Sequence, residues 1–233
     1  MSLLDDIGHV FSAPHPAGRP FILGGLIAVM LGLVIGTWLA WLGLLFTLFC
    51  LFFFRDPERV PPGRPGALVA PADGRVVSVT PAVPPSELGL GVTPRWRVST
   101  FLSILNVHVN RSPADGIITR IAYRHGSFLT ASLDKASEAN ERNAVALRLS
   151  DGREIAVVQI AGLIARRIVC DLREGQRIAA GQRMGIIRFG SRVDVYCPLP
   201  YVIMVAAGQR MVGGETVLAD RLAREPPRQG VEN

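Results

Sequence analysis

From Phe21 to Phe54 the chain runs for 34 residues without one charged side chain. Drawn as a single helix the run would span ~51 Å, against a bilayer hydrocarbon core of ~30 Å, so one upright crossing fits poorly. Gly36-Thr37-Trp38 and Trp41 sit in its middle, a turn signal beside two aromatics that favour the headgroup layer. The pattern predicts a membrane-associated helical hairpin over residues 21–54, turning between Gly36 and Trp41, with a polar segment, 1–20, before it. Each arm is ~24 Å long, which leaves a spanning and a shallower re-entrant hairpin both open. A cleaved signal peptide does not fit. The run starts late, follows Asp5 and Asp6, and lacks a basic leader.

Arginine sets the expected orientation. Arg55, Arg59, Arg64 and Arg75 follow the run closely, and only Arg19 precedes it. The positive-inside rule then puts the C-terminal part on the cytoplasmic face of the inner membrane. Residues 55–233 hold 24 basic and 17 acidic side chains, a surplus suited to anionic membrane lipid. No interleaved aromatic and basic motif points to nucleic acid. With 49% hydrophobic residues the chain has ample material for a core, which excludes intrinsic disorder. Lys135 is the only lysine, so an enzyme built on a lysine Schiff base would have one candidate. Cys50, Cys170 and Cys197 show no metal-ligand spacing, and their odd number reads as a reducing compartment without a disulfide framework.

Residues 55–66 carry Pro57, Pro61, Pro62 and Pro65 and read as an extended linker. From 67 to 223, short Val- and Ile-rich runs alternate with Gly, Pro, Asp and Asn. Gly74–Thr80, Arg97–Leu102, Gly116–Tyr123, Ala144–Leu149, Glu154–Ile160, Arg166–Leu172, Met184–Phe189, Arg192–Tyr196 and Val202–Ala206 are the expected strands. One short helix is expected around Thr130 to Asn140. Many close-spaced strands without alternating long helices predict a mainly β domain, barrel- or sandwich-like, after the hairpin. A polar tail, 224–233, follows.

Three polar groups stand where strands meet turns: Asp73 in Pro71-Ala-Asp-Gly74, His108 in Asn106-Val-His-Val-Asn110, and Ser191 in Phe189-Gly-Ser-Arg192. Each alone is unremarkable, Asp-Gly and Gly-Ser being ordinary turn dipeptides. The alternation with Val107 and Val109 predicts His108 on the polar face of a half-buried strand. Together the three supply a nucleophile, a base and an orienting carboxylate.

The sequence resembles the short, pyruvoyl-dependent phosphatidylserine decarboxylases. The resemblance lies in Phe54-Arg-Asp-Pro-Glu-Arg59, Pro71-Ala-Asp-Gly74, Phe101-Leu-Ser-Ile-Leu-Asn-Val-His108, Val109-Asn-Arg-Ser-Pro113, Asp134-Lys-Ala-Ser-Glu-Ala-Asn-Glu-Arg-Asn143 and Arg188-Phe-Gly-Ser-Arg-Val-Asp194. It implies decarboxylation of phosphatidylserine to phosphatidylethanolamine by a pyruvoyl group made from Ser191, with neither metal nor pyridoxal phosphate. It implies self-cleavage between Gly190 and Ser191 into a large chain, 1–190, and a small chain, 191–233, that stay together. His108 and Asp73 are the implied base and its partner. His125 reads as structural, and a homo-oligomer stays open. Arg111, Arg166, Arg167 and Arg192 are the arginines considered for the substrate phosphate, because guanidinium binds phosphate bidentately. Longer bacterial relatives carry Tyr-His-x-x-His and Leu-Gly-Ser-Thr where this chain has one histidine and Phe189-Gly-Ser-Arg192, so His108 is left to serve one step or both. Two rival readings are a membrane-anchored serine hydrolase, which lacks its Gly-x-Ser-x-Gly elbow here, and a non-catalytic β module of the hybrid or biotinyl-carrier type.

Overall fold

A computed structural model describes residues 12–127, 140–162, 167–188 and 191–226. The chain divides into two units, Met1–Glu58 and Arg59–Asn233.

The first unit is the expected hairpin. Helix α1 (Arg19–Ile35) and helix α2 (Thr37–Phe53) are joined at Gly36, whose N–H donates to Gly32 O while Leu39 N–H donates to Gly36 O. The helices approach closely because small residues line their seam. A Cβ on Gly32 would fall on the Ala40 backbone, and one on Gly43 would lie 2.7 Å from Val29 N. Thr47 turns its hydroxyl inward to Gly43 O at 2.7 Å. The outward side chains are apolar and exposed, among them Met30, Val34, Trp38 and Trp41. Pro16–Ile35 is long and apolar enough to cross a membrane, and Thr37–Phe53 is a shorter apolar helix.

The second unit is built from short strands. In chain order they begin with β1 (Ala67–Val69), β2 (Gly74–Ala82), β3 (Arg95–Leu102), β4 (Val109–Arg111) and β5 (Gly116–Arg124). Next come β6 (Arg142–Arg148), β7 (Glu154–Ala161), β8 (Ile168–Cys170), β9 (Arg177–Ile178) and β10 (Arg183–Ile187). The last are β11 (Ser191–Cys197), β12 (Val202–Ile203), β13 (Arg210–Met211) and β14 (Val217–Asp220). An eight-stranded antiparallel sheet, ordered β13-β2-β3-β11-β7-β6-β5-β9, curls into a half-barrel. Two small sheets, β4-β10-β8 and β1-β14-β12, accompany it. Period-two alternation sorts β11 into two faces. Val193, Val195 and Cys197 join the main core with Val98, Val145, Val157, Met184 and Ile187. Arg192, Asp194 and Tyr196 point the other way and are buried too. There Leu88, Ala146, Ala156 and Val158 pack with Tyr196 in a second apolar cluster.

The proline-rich stretch before β1 forms no regular element, as four prolines dictate, yet it is held against the β unit. Arg59 pairs with Asp73 and Arg64 with Asp220. The helix expected at Thr130–Asn140 lies outside the described residues except for Asn140, which bridges Ser127. The half-buried setting expected for His108 is not found. Val107, His108 and Val109 are all buried, because the strand starting at Val109 is pressed into the interior by β10.

Candidate active site

Strand register carries Ser191 and the Asp73-Gly74 turn to one end of the large sheet, whereas His108 stands just before β4 of a small sheet. Ser191 opens β11 and stands between Leu102 of β3 and Ala161 of β7. In the adjacent row Arg75, Phe101, Arg192 and Ile160 lie side by side. Gly74, one residue before Arg75, therefore falls in the row of Ser191, with only β3 between them. At ~4.8 Å per strand this puts the Asp73-Gly74 turn within ~10 Å of the Ser191 backbone. The turn needs glycine: a Cβ at Gly74 would fall on the Phe101 carbonyl. His108 arrives from the other side. Its carbonyl accepts from Ile187 N at 3.4 Å, four residues before Ser191.

By alternation Ser191 shares the inward face of Val193 and Val195. Its hydroxyl is buried and makes no hydrogen bond among the described residues. His108 is fully buried, and its Nδ1 lies 2.9 Å from Asn106 O. A carbonyl only accepts, so Nδ1 carries the hydrogen and Nε2 is the nitrogen that takes up a proton. The Asp73 carboxylate is held by Arg59 Nη2, at 3.1 and 2.9 Å, and by Gly213 N at 2.7 Å.

Behind His108 runs a chain of buried amides that no sequence motif announces. Asn143 Nδ2 donates to Gln159 Oε1 at 2.8 Å, Gln159 Nε2 to Asn110 Oδ1 at 2.7 Å, and Asn110 Nδ2 to His108 O at 3.3 Å. It links β6 and β7 of the large sheet to β4 of the small one and fixes the backbone of the histidine. Beside Ser191, Asn140 Nδ2 donates to Ala161 O at 2.8 Å. Glu141 accepts from the Tyr123 hydroxyl and lies 3.6 Å from His125 Nδ1. Burial first, and then that bond, push the Tyr123 phenol up to about 12.

The arginines divide. Arg192 is 1% exposed and clamps Asp194 with Nε at 2.7 Å and Nη2 at 3.1 Å, while Nη2 also donates to Ser99 Oγ. It sits on the face of β11 opposite to Ser191. Arg111 is buried and donates to Gly181 O at 2.9 Å. Arg166 lies outside the described residues. Arg167 is exposed, and its carbonyl accepts from Arg188 N at 3.3 Å. Burial, then the neighbouring Arg167, lower the Arg188 guanidinium from its usual value. Arg188 is not among the arginines that the sequence suggested for phosphate, although it stands three residues before Ser191. Its place ahead of Gly190-Ser191 is the signal that could have found it.

Among the described residues no group of three or more His, Cys, Asp or Glu is placed to hold a metal ion. A hollow of about 600 Å³, lined by Gly116, Arg148, Arg177 and Ile178, opens at the far end of the sheet, away from Ser191. The near end of the sheet thus holds a buried serine hydroxyl at the head of β11, and a buried histidine stands just before β4 of the small sheet.

Comparison with known proteins gives the same direction. Residues 46–219 match the family described as phosphatidylserine decarboxylase. A phosphatidylserine decarboxylase proenzyme of Granulibacter bethesdensis is 66% identical over 94% of this chain and 90% of its own length. Proenzymes of the same name from Gluconacetobacter diazotrophicus and Gluconobacter oxydans are 57% and 58% identical, each over 94% of this chain and 99% of its own length.

Proposed function

The chain belongs to the phosphatidylserine decarboxylase family and is an enzyme of that activity, and from that premise we propose that it is made as a precursor which cuts itself between Gly190 and Ser191. The observation that carries this reading is the buried, uncommitted Ser191 hydroxyl at the head of the central strand. The same observation supports Ser191 as the parent of a pyruvoyl group, since among the described residues its hydroxyl has no structural bond to lose.

In maturation, Ser191 Oγ adds to the Gly190 carbonyl carbon as His108 Nε2 takes the hydroxyl proton. The Gly190–Ser191 C–N bond breaks when its nitrogen takes up a proton, leaving an ester. Loss of the Ser191 Cα proton then expels the Gly190 carboxylate, and water replaces the freed nitrogen, which departs as ammonia. Asp73, fixed by Arg59 and Gly213, is the carboxylate assigned as partner to His108 in this step. A pyruvoyl group held at the Ser191 position would supply a ketone able to condense with the substrate amine and to take up the electron pair left by carbon dioxide. His108 returns a proton to the substrate carbon. Arg167 and Arg188 bind the phosphodiester at the rim, where the exposed Arg167 is open to it and the Arg192 guanidinium, spent on Asp194, is not. The hairpin anchors the enzyme in the inner membrane with the β unit on the cytoplasmic face.

Ser191→Ala tests the reading. The variant should accumulate as one 25.2 kDa chain without decarboxylase activity, whereas wild type should give fragments 1–190 and 191–233, the second with a blocked terminus, by denaturing mass spectrometry. An uncut wild-type chain with full activity would overturn it.

A further inference from the structure

Between Leu102, the register partner of Ser191, and the buried His108 the chain makes a tight turn, Ser103 to Asn106. Asn106 Oδ1 closes it, accepting from Ser103 N at 2.9 Å and from Ser103 Oγ at 2.8 Å, while Asn106 N donates to Ser103 O at 2.9 Å. A turn so fastened presents its tip in one conformation. The tip is apolar: Ile104 is 38% and Leu105 69% exposed. Turn tips ordinarily carry polar residues, and neither Ile104 nor Leu105 belongs to a buried core cluster among the described residues. Val212, also exposed, lies at the same end, next to the Gly213 that holds Asp73.

We propose that the Ser103–Asn106 turn is a lipid wedge, entering an anionic bilayer with Ile104 and Leu105 so that the catalytic end of the β unit rests at headgroup depth. The inference deepens the proposed function, since it rests on phosphatidylserine being the substrate. Charge argues for a bilayer over a protein partner. Arg75, Arg167 and Arg210 are exposed at or one row from the same end, and basic side chains around an apolar tip match an anionic interface. The wedge is also tied to the chemistry. Asn106, whose side chain closes the turn, offers its carbonyl to His108 Nδ1. Seating the turn therefore sets the depth of His108, and the serine headgroup reaches the site while its acyl chains stay in the bilayer.

The test uses the full chain reconstituted in vesicles of phosphatidylserine, phosphatidylglycerol and a phosphatidylcholine brominated on its acyl chains. A fluorophore on Leu105→Cys should be quenched by the bromines, and one on Val92→Cys, at the opposite end, should not, with the unsubstituted chain reporting any labelling of native cysteines. The double variant Ile104→Ser/Leu105→Ser should lose ~10-fold or more in kcat/KM on vesicle phosphatidylserine, as burial of aliphatic side chains predicts. It should keep its rate on a short-chain soluble phosphatidylserine within about 2-fold. An unquenched probe at position 105, or equal losses on both substrates, would overturn the wedge. If wild type decarboxylates neither substrate, the reaction assignment fails, and the quenching result still decides the wedge.

Discussion

Ser191 and Arg192 are neighbours in sequence and live on opposite faces of one strand, which decides their fates. The serine faces the interior with Val193 and Val195, and the arginine is consumed by Asp194 behind the sheet. Short motifs make Ser191, His108 and Asp73 legible in the sequence, because the resemblance attaches to the few residues around each. Alternation alone misjudges His108, since period two reports burial only when one face of a strand meets water. The buried amides Asn110, Gln159 and Asn143 are illegible for another reason: their partners are 16 and 49 residues apart, and only the register brings them together. Arg188 stands in plain view beside Gly190-Ser191, but nothing in its neighbours separates it from a solvated arginine. Its proposed part in phosphate binding makes a definite expectation. Arg188→Ala should raise KM for phosphatidylserine by ~10- to 100-fold, the worth of one charge-assisted hydrogen bond, with kcat changed far less. Arg188→Lys should recover part of the loss. A fall in kcat at constant KM would remove Arg188 from the binding site.

At the scale of elements, the hairpin is the most legible part of the molecule. A charge-free run too long for one crossing, with Gly36 and two tryptophans at its middle, leaves few other folds. What the sequence does not reveal is the seam, where Gly32 and Gly43 let backbones meet; nothing in a single chain says which glycines face a partner helix. The proline-rich stretch is irregular as expected, but it is more than a spacer, because Arg59 reaches Asp73 and Arg64 reaches Asp220, far along the chain. The expected strands fall within a few residues of the observed ends, the longest runs best. The arginines beyond α2 carry the orientation prediction. Protease added outside spheroplasts should leave residues 59–233 intact, and protease admitted to the cytoplasmic side should release them. Digestion from outside would reverse the topology and with it the assigned face.

Across the whole molecule, the mainly β architecture follows from composition and turn spacing, but strand order does not. The large sheet places β11, late in the chain, between β3 and β7, so that its seven residues pair with Trp96 to Leu102 on one side and its first six with Ala156 to Ala161 on the other. β13 and β14 reach back to β2 and β1. A cut between Gly190 and Ser191 therefore leaves the middle of the sheet in a separate polypeptide. Before the cut, folding is a first-order event within one molecule; afterwards any recovery from full unfolding needs two molecules to meet. Urea-unfolded Ser191→Ala precursor should refold with a yield that ignores dilution, while unfolded wild type should recover less at each tenfold dilution. Equal recovery at all concentrations would mean that the cut does not part the sheet. On this architecture the proposed self-cleavage would work as a ratchet: the chain would gain its reactive terminus in the same act that erases the route by which it folded. An enzyme molecule lost to unfolding would then have to be replaced by new synthesis rather than repaired.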